Sequence, residues 1–138
     1  AAMGGRPVAM VDHGTPVADV NRVRQTVAAE LQVLMAEAGS EVVPCSMERR
    51  PGPAFDFNEP LLEEVLRRPE FAVDGAVSLL FFSEGRHAGP GGDVASLCKS
   101  SPAGALTVAA PVGQHPLLVE LLSRRYHEAL PWASTSSG

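Results

Sequence analysis

The chain has 138 residues, 45% hydrophobic and 20% charged, which fits one globular domain with a real core. Its formal net charge of −5 argues against a general binder of nucleic acid or anionic membrane, since both need a basic face. No apolar run approaches the roughly 18 to 20 residues of a membrane-spanning helix, and residues 1–5 have neither signal-peptide nor transit-peptide character.

Pro7–Asp12 (PVAMVD) is a short apolar run suited to a strand covered on both faces. Gly14 breaks it, Thr15 reads as a helix N-cap and Pro16 as the first helical residue. Val17, Val20, Val27, Leu31, Leu34 and Met35 follow at helical spacing, among polar residues that include Asn21 and Arg24, and Gly39 ends the helix. Glu41–Ser46 is a second strand, placed at a sheet edge by Pro44. A Pro- and Gly-rich loop spans Arg49–Phe57. Asn58 then reads as the cap of a helix carrying Leu61, Leu62, Val65 and Leu66, which stops before Pro69.

Ala76–Phe82 (AVSLLFF) is the best central strand and runs into Ser83–His87 and the glycines 89, 91 and 92. Asp93 reads as the cap of a short helix over Val94–Lys99, and Leu106–Ala110 as a fourth strand. His115-Pro116 opens a last helix with Leu117, Leu118, Leu121, Leu122 and Tyr126. Residues 1–5 and 133–138 read as loose ends of a single domain over 1–138. Cys45 and Cys98 form no metal-type pair and read as buried free thiols.

Alternation of strand and helix predicts an α/β domain in three layers. It has a four-stranded parallel sheet in order 2-1-3-4, with helices on both faces and right-handed crossovers. Ligands of such sheets bind beyond the carboxyl ends of the strands, where the winding reverses, here between strands 1 and 3. His13 follows strand 1, while Glu84, Arg86 and His87 follow strand 3. The topology therefore brings two distant histidines into adjacent loops.

Imidazole suits Co²⁺, Fe²⁺, Ni²⁺ and Zn²⁺ without choosing among them. Two histidines leave coordination positions open, which suits a metal that is handed on, whereas structural zinc wants four ligands. Asp12 either orients His13 or caps locally. Glu48, Arg49 and Arg50 follow strand 2 at the same sheet end and are candidates for a substrate rim. His115 either lines the site or simply begins the last helix, and His127 reads as solvated. The glycines after His87 lack the lysine of a P-loop and the spacing of a dinucleotide fold. No hydrolase triad or glycosidase carboxylate pair stands out.

Three segments together resemble one family, the small sirohydrochlorin cobalt/iron chelatases of class II. They are Val11-Asp12-His13-Gly14-Thr15; Leu80–His87 followed by Asp93-Val94; and Ala110–Leu118. The DHGTP and GRHAGPGGD wording is closest to half-domains of cyanobacterial and plastid type. The resemblance implies a chelatase half-domain that inserts Co²⁺ or Fe²⁺, with Ni²⁺ as a further option, into sirohydrochlorin or a related tetrapyrrole. The metal is substrate, and no organic cofactor is implied.

On this resemblance His13 and His87 bind metal and accept pyrrole protons; Glu84, placed after strand 3 at the same sheet end, is a candidate to assist catalysis. Arg86, Glu48, Arg49 and His115 are then substrate-binding residues. It also implies a homodimer or a second half-domain as partner, no nucleic acid or membrane partner, and a cytoplasmic location, or the plastid stroma in a photosynthetic eukaryote. The Arg49–Phe57 loop, the extra glycines and Glu84 depart from the family pattern and reshape the rim. A non-catalytic metal- or tetrapyrrole-binding module of the same fold is the alternative.

Overall fold

The computed structural model describes residues 4–104, 106–113 and 115–133. Strands β1 (Val8–Asp12), β2 (Val42–Ser46), β3 (Ala76–Leu79) and β4 (Thr107–Val108) form one parallel sheet in order β2-β1-β3-β4. This is the expected order, and Pro44 sits on the edge strand. β3 and β4 are shorter than the sequence predicts. Their backbone pairing trails on without regular ladders, from Leu80 N–H to Val11 O and from Val112 N–H to Phe81 O, both 2.9 Å. Phe82 has left the sheet and is exposed.

The two faces are covered unequally. Ala9, Val11, Val43, Cys45, Val77 and Leu79 point to one core beneath α2 (Leu62–Val65) and α4 (Asp93–Ser100). Val8, Met10 and Val42 point to the other face and meet α1 (Ala18–Met35) through Ala28. Burial pushes the Cys45 thiol up to about 12, despite the opposing pull of the Arg24 guanidinium, and raises Cys98 as well, so both thiols stay protonated.

Several local expectations change. α1 begins at Ala18 with Val17 as its N-cap; Thr15 Oγ1 instead accepts the Val17 N–H at 3.1 Å, which tightens the turn before the helix. The helix is also rotated from the face its valines suggest. Asn21, Arg24 and Ala28 are buried, whereas Val20 and Leu34 are more than half exposed. Arg24 decides this rotation, because buried acceptors on the β2 side engage both terminal nitrogens of its guanidinium. A 3₁₀ turn over Ala36–Ala38 then ends at Gly39 in the left-handed region.

The loop expected over Arg49–Phe57 holds a 3₁₀ helix, Pro53–Asn58, so Asn58 ends one element rather than capping the next. α2 is one turn long. α3 (Gly85–Ala88) makes a helical turn of what reads as a loop, and Gly92, not Asp93, caps α4. α5 (Pro116–Ala133) is the last helix. Of the ends expected to be loose, residues 1–3 and 134–138 lie outside the described residues. Gly5 N–H donates to Gly39 O at 3.1 Å, so Gly5 is tied down, and Ala133 closes α5. Among the described residues no helix is long and apolar enough to cross a membrane.

Candidate metal centre

β1 delivers His13 directly, one residue past Asp12. The turn that holds it is built by buried polar contacts. Asp12 Oδ1 accepts the Gly14 N–H at 3.1 Å and the Ser46 hydroxyl at 2.5 Å, and Ser46 Oγ accepts Arg24 Nη1 at 2.6 Å. Asp12 thus caps the turn rather than orienting the His13 ring. Asn58 grips Thr15 from both sides, accepting its N–H at 2.9 Å and donating to its carbonyl at 2.8 Å. Gly14 has φ +98°, and a Cβ there would lie 1.9 Å from the Glu48 carbonyl oxygen. Only glycine lets the turn press against the end of β2. Gly14→Ala is therefore expected to cost about 2 kcal/mol of stability and to weaken metal binding, as read by chemical denaturation and Co²⁺ titration.

That close approach brings Glu48 to His13. The Glu48 N–H donates to His13 O at 3.2 Å, and Glu48 Oε1 lies 3.0 Å from His13 Nε2. From the other side, α3 carries His87, whose ring centroid is 4.6 Å from that of His13. His87 Nδ1 is sealed from solvent and sits at ion-pair distance, 2.7 Å, from Asp93 Oδ2, though off the line of a good hydrogen bond. A carboxylate beside Nδ1 favours the proton there and frees Nε2 as a ligand or base. One donor atom each from His13, Glu48 and His87 lies within 4.8 Å of the others. Donors on one ion sit about 2.0–2.2 Å from it, so small side-chain rotations bring all three onto a single divalent metal.

The CbiX family model matches residues 7–129. The chain belongs to the CbiX family, the sirohydrochlorin chelatases. No curated protein and no solved structure matches it.

In this CbiX chain, cavities flank the cluster on both sides of Glu48. One of about 420 Å³ is lined by His13, Thr15, Pro16, Glu48, Arg49 and Arg50. The other, about 320 Å³, is lined by Met47, Glu48, His87, Asp93, Ser96 and Ser100.

Of the other residues singled out from the sequence, Arg49 and Arg50 line the larger cavity, and Glu84, Arg86 and His115 line neither. Glu84 is exposed before α3 and lines a separate cavity with Ala88, Val94 and Val108. Arg86 is exposed, 3.6 Å from Asp93. Arg49 is held within its own loop by Asp56 and by Glu59 at 3.2 Å. Arg50 lies 6.0 Å from the Phe55 ring centroid and faces the larger cavity. His115 Nδ1 accepts the Leu117 N–H at 3.2 Å and so caps the start of α5.

Sequence reasoning assigned Glu48 to the rim and passed over it as a donor. The available signal was register: Asp12 pairs with Ser46, so residues just beyond both must be neighbours. Asp93 as the partner of His87 was also missed. It begins α4 a short loop after α3, which is where a helix-borne carboxylate meets the preceding turn.

Proposed function

We propose that the chain inserts a divalent metal, Co²⁺ or Fe²⁺ with Ni²⁺ also suited to the donors, into sirohydrochlorin or a related tetrapyrrole. The observation that carries this reading is the convergence of His13, Glu48 and His87 at the switch point of the sheet. Two imidazoles and a carboxylate hold the incoming ion and leave positions open for pyrrole nitrogens. Each metal–nitrogen bond that replaces an N–H releases a proton. His13 and His87, freed as the ion moves into the macrocycle, accept these protons, and Glu48 passes them to solvent.

The half-open cavities suit a flat polyanionic macrocycle, covered in turn by a second half-domain. Arg50, exposed on the larger cavity, and Arg86, exposed on α3 beside Asp93, are the cations assigned here to substrate carboxylates. Arg49 shapes the loop and contributes there indirectly. Arg50→Ala is expected to raise KM for the tetrapyrrole about 5- to 20-fold with kcat little changed, the pattern of a lost charge-assisted contact. Steady-state kinetics checks it.

The test of the reaction is anaerobic incubation with sirohydrochlorin and each metal, followed by absorbance. Failure to exceed the uncatalysed rate with Co²⁺, Fe²⁺ and Ni²⁺ would sink the enzymatic reading. Stoichiometric metal or tetrapyrrole binding by calorimetry, without turnover, would then identify a carrier module of the same fold.

A further inference from the structure

The clustered donors face different cavities. His13 lines the larger one, His87 the smaller one, and Glu48 lines both. An ion held by all three therefore sits where the cavities meet and can be reached from either. A flat macrocycle laid over the larger cavity, its pyrrole nitrogens toward the ion, covers the His13 side. The approach left open is then on the His87 side.

The two linings also differ in charge. The larger cavity carries Arg49 and Arg50 beside Glu48. Asp56 and Glu59 neutralise Arg49, but Arg50 has no ion-pair partner among the described residues. The smaller cavity is lined by the carboxylates of Glu48 and Asp93 and by no arginine or lysine among the described residues. Arg86 lies outside this lining, 3.6 Å from Asp93, and offsets part of its charge. When Arg86 turns to a substrate carboxylate, Asp93 regains that charge.

α4 builds one wall of the smaller cavity. Asp93, Ser96 and Ser100 recur at helical spacing along it, while Val94 and Cys98 are buried in the core. Both hydroxyls donate back to their own helix, Ser96 Oγ to Gly92 O at 3.0 Å and Ser100 Oγ to Ser96 O at 2.6 Å. Their hydrogens are thus engaged, and only oxygen lone pairs remain for a ligand. The polar lining of this cavity is therefore made mainly of acceptors. It suits a hydrated cation, whose water shell presents O–H donors, and it offers nothing to the carboxylates of a tetrapyrrole.

We propose, resting on the insertion reaction above, that the smaller cavity is the metal's own entrance. A hydrated divalent cation passes between the end of β2 and α4, is gathered by Asp93 and Glu48, and meets His13 and His87 from the side the macrocycle leaves open. With about six waters such an ion takes about 200 Å³, within the cavity's volume of about 320 Å³. The tetrapyrrole then belongs to the larger cavity, and the two substrates share a reaction centre without sharing a door.

Stopped-flow mixing with Co²⁺ tests this. The cobalt ligand-field absorbance reports entry into the chain alone, and the macrocycle absorbance reports entry into the chain preloaded with sirohydrochlorin. Ser96 and Ser100 are exposed, so variants there retain the fold. Ser96→Arg and Ser100→Arg are each expected to slow Co²⁺ association about 10-fold at low salt, and Ser96→Glu to speed it a few-fold. These differences should shrink as salt rises. Saturating sirohydrochlorin is expected to leave Co²⁺ entry uninhibited. A Co²⁺ rate that follows Arg50→Glu and ignores the α4 variants would move the entrance to the larger cavity and overturn the inference. Competitive inhibition of Co²⁺ by excess sirohydrochlorin would overturn it equally. A wild-type chain without insertion activity would remove the reaction but not the entrance, because Co²⁺ association with the chain alone needs no turnover.

Discussion

His87→Ala is expected to lower metal insertion by at least about 10³-fold while the chain stays folded. The side chain lies in the four-residue α3 turn at the mouth of the site, outside the buried core, so its removal costs about 1 kcal/mol or less. What is lost is one of the three clustered donors, which leaves only His13 and Glu48 to hold a metal. His13→Ala removes the other imidazole and is expected to act as strongly. The double variant should be barely worse than either single one, because the pair acts as a unit. Asp93→Ala removes the carboxylate beside Nδ1 of His87 and near Arg86, and its effect is expected in metal affinity, about 10- to 100-fold. Anaerobic turnover, Co²⁺ titration and thermal melting separate these outcomes. Wild-type turnover in His87→Ala would remove His87 from the mechanism.

The sheet order was legible because it depends on little: four short apolar runs, alternating helices and a fixed crossover hand. The meeting of His13 and His87 followed from that order alone, since each leaves the carboxyl end of a central strand. What the sequence hid depends on rotation and reach. α1 has enough valines to suggest a buried stripe, but the stripe that packs contains Arg24, which is tolerated there because Ser46 and two loop carbonyls engage its terminal nitrogens. No periodicity carries that information. Asn58 read as a helix cap for the same reason: its amide bonds backbone groups of Thr15, a partner 43 residues away. Glu48 was placed at the correct end of the sheet, but whether its carboxylate meets His13 depends on Gly14 letting two backbones touch.

Arg24 is the residue on which this geometry rests, and Arg24→Met is expected to show it. The guanidinium is 1% exposed, and burial lowers its pKa, partly offset by the negative charge of Asp12. Besides Ser46 it donates to Asn58 O at 2.8 Å and Phe57 O at 3.1 Å. It therefore ties the end of β2 to the loop that grips Thr15, and through Ser46 and Asp12 to the turn bearing His13. Methionine fills much of the volume but leaves Asp12 without its nearby cation and two carbonyls without donors. The expected cost is about 3 kcal/mol, read as a lower denaturation midpoint.

Lysine keeps the charge but lacks the fork needed to serve Ser46 and both carbonyls together, so Arg24→Lys should recover only part of the stability. A purely structural role would end there. A positioning role predicts more. Ser46→Ala leaves Arg24 and Asp12 present and costs about 1 kcal/mol, yet it breaks the link between the strand ends that carry Glu48 and His13. Co²⁺ affinity, measured well below the melting temperature, should then fall about 10-fold or more, and the cobalt ligand-field spectrum should change shape. An unchanged spectrum and affinity in Ser46→Ala would confine Arg24 to holding the fold. A changed spectrum would mean that a buried cation beneath α1 sets the spacing of the donors at the surface.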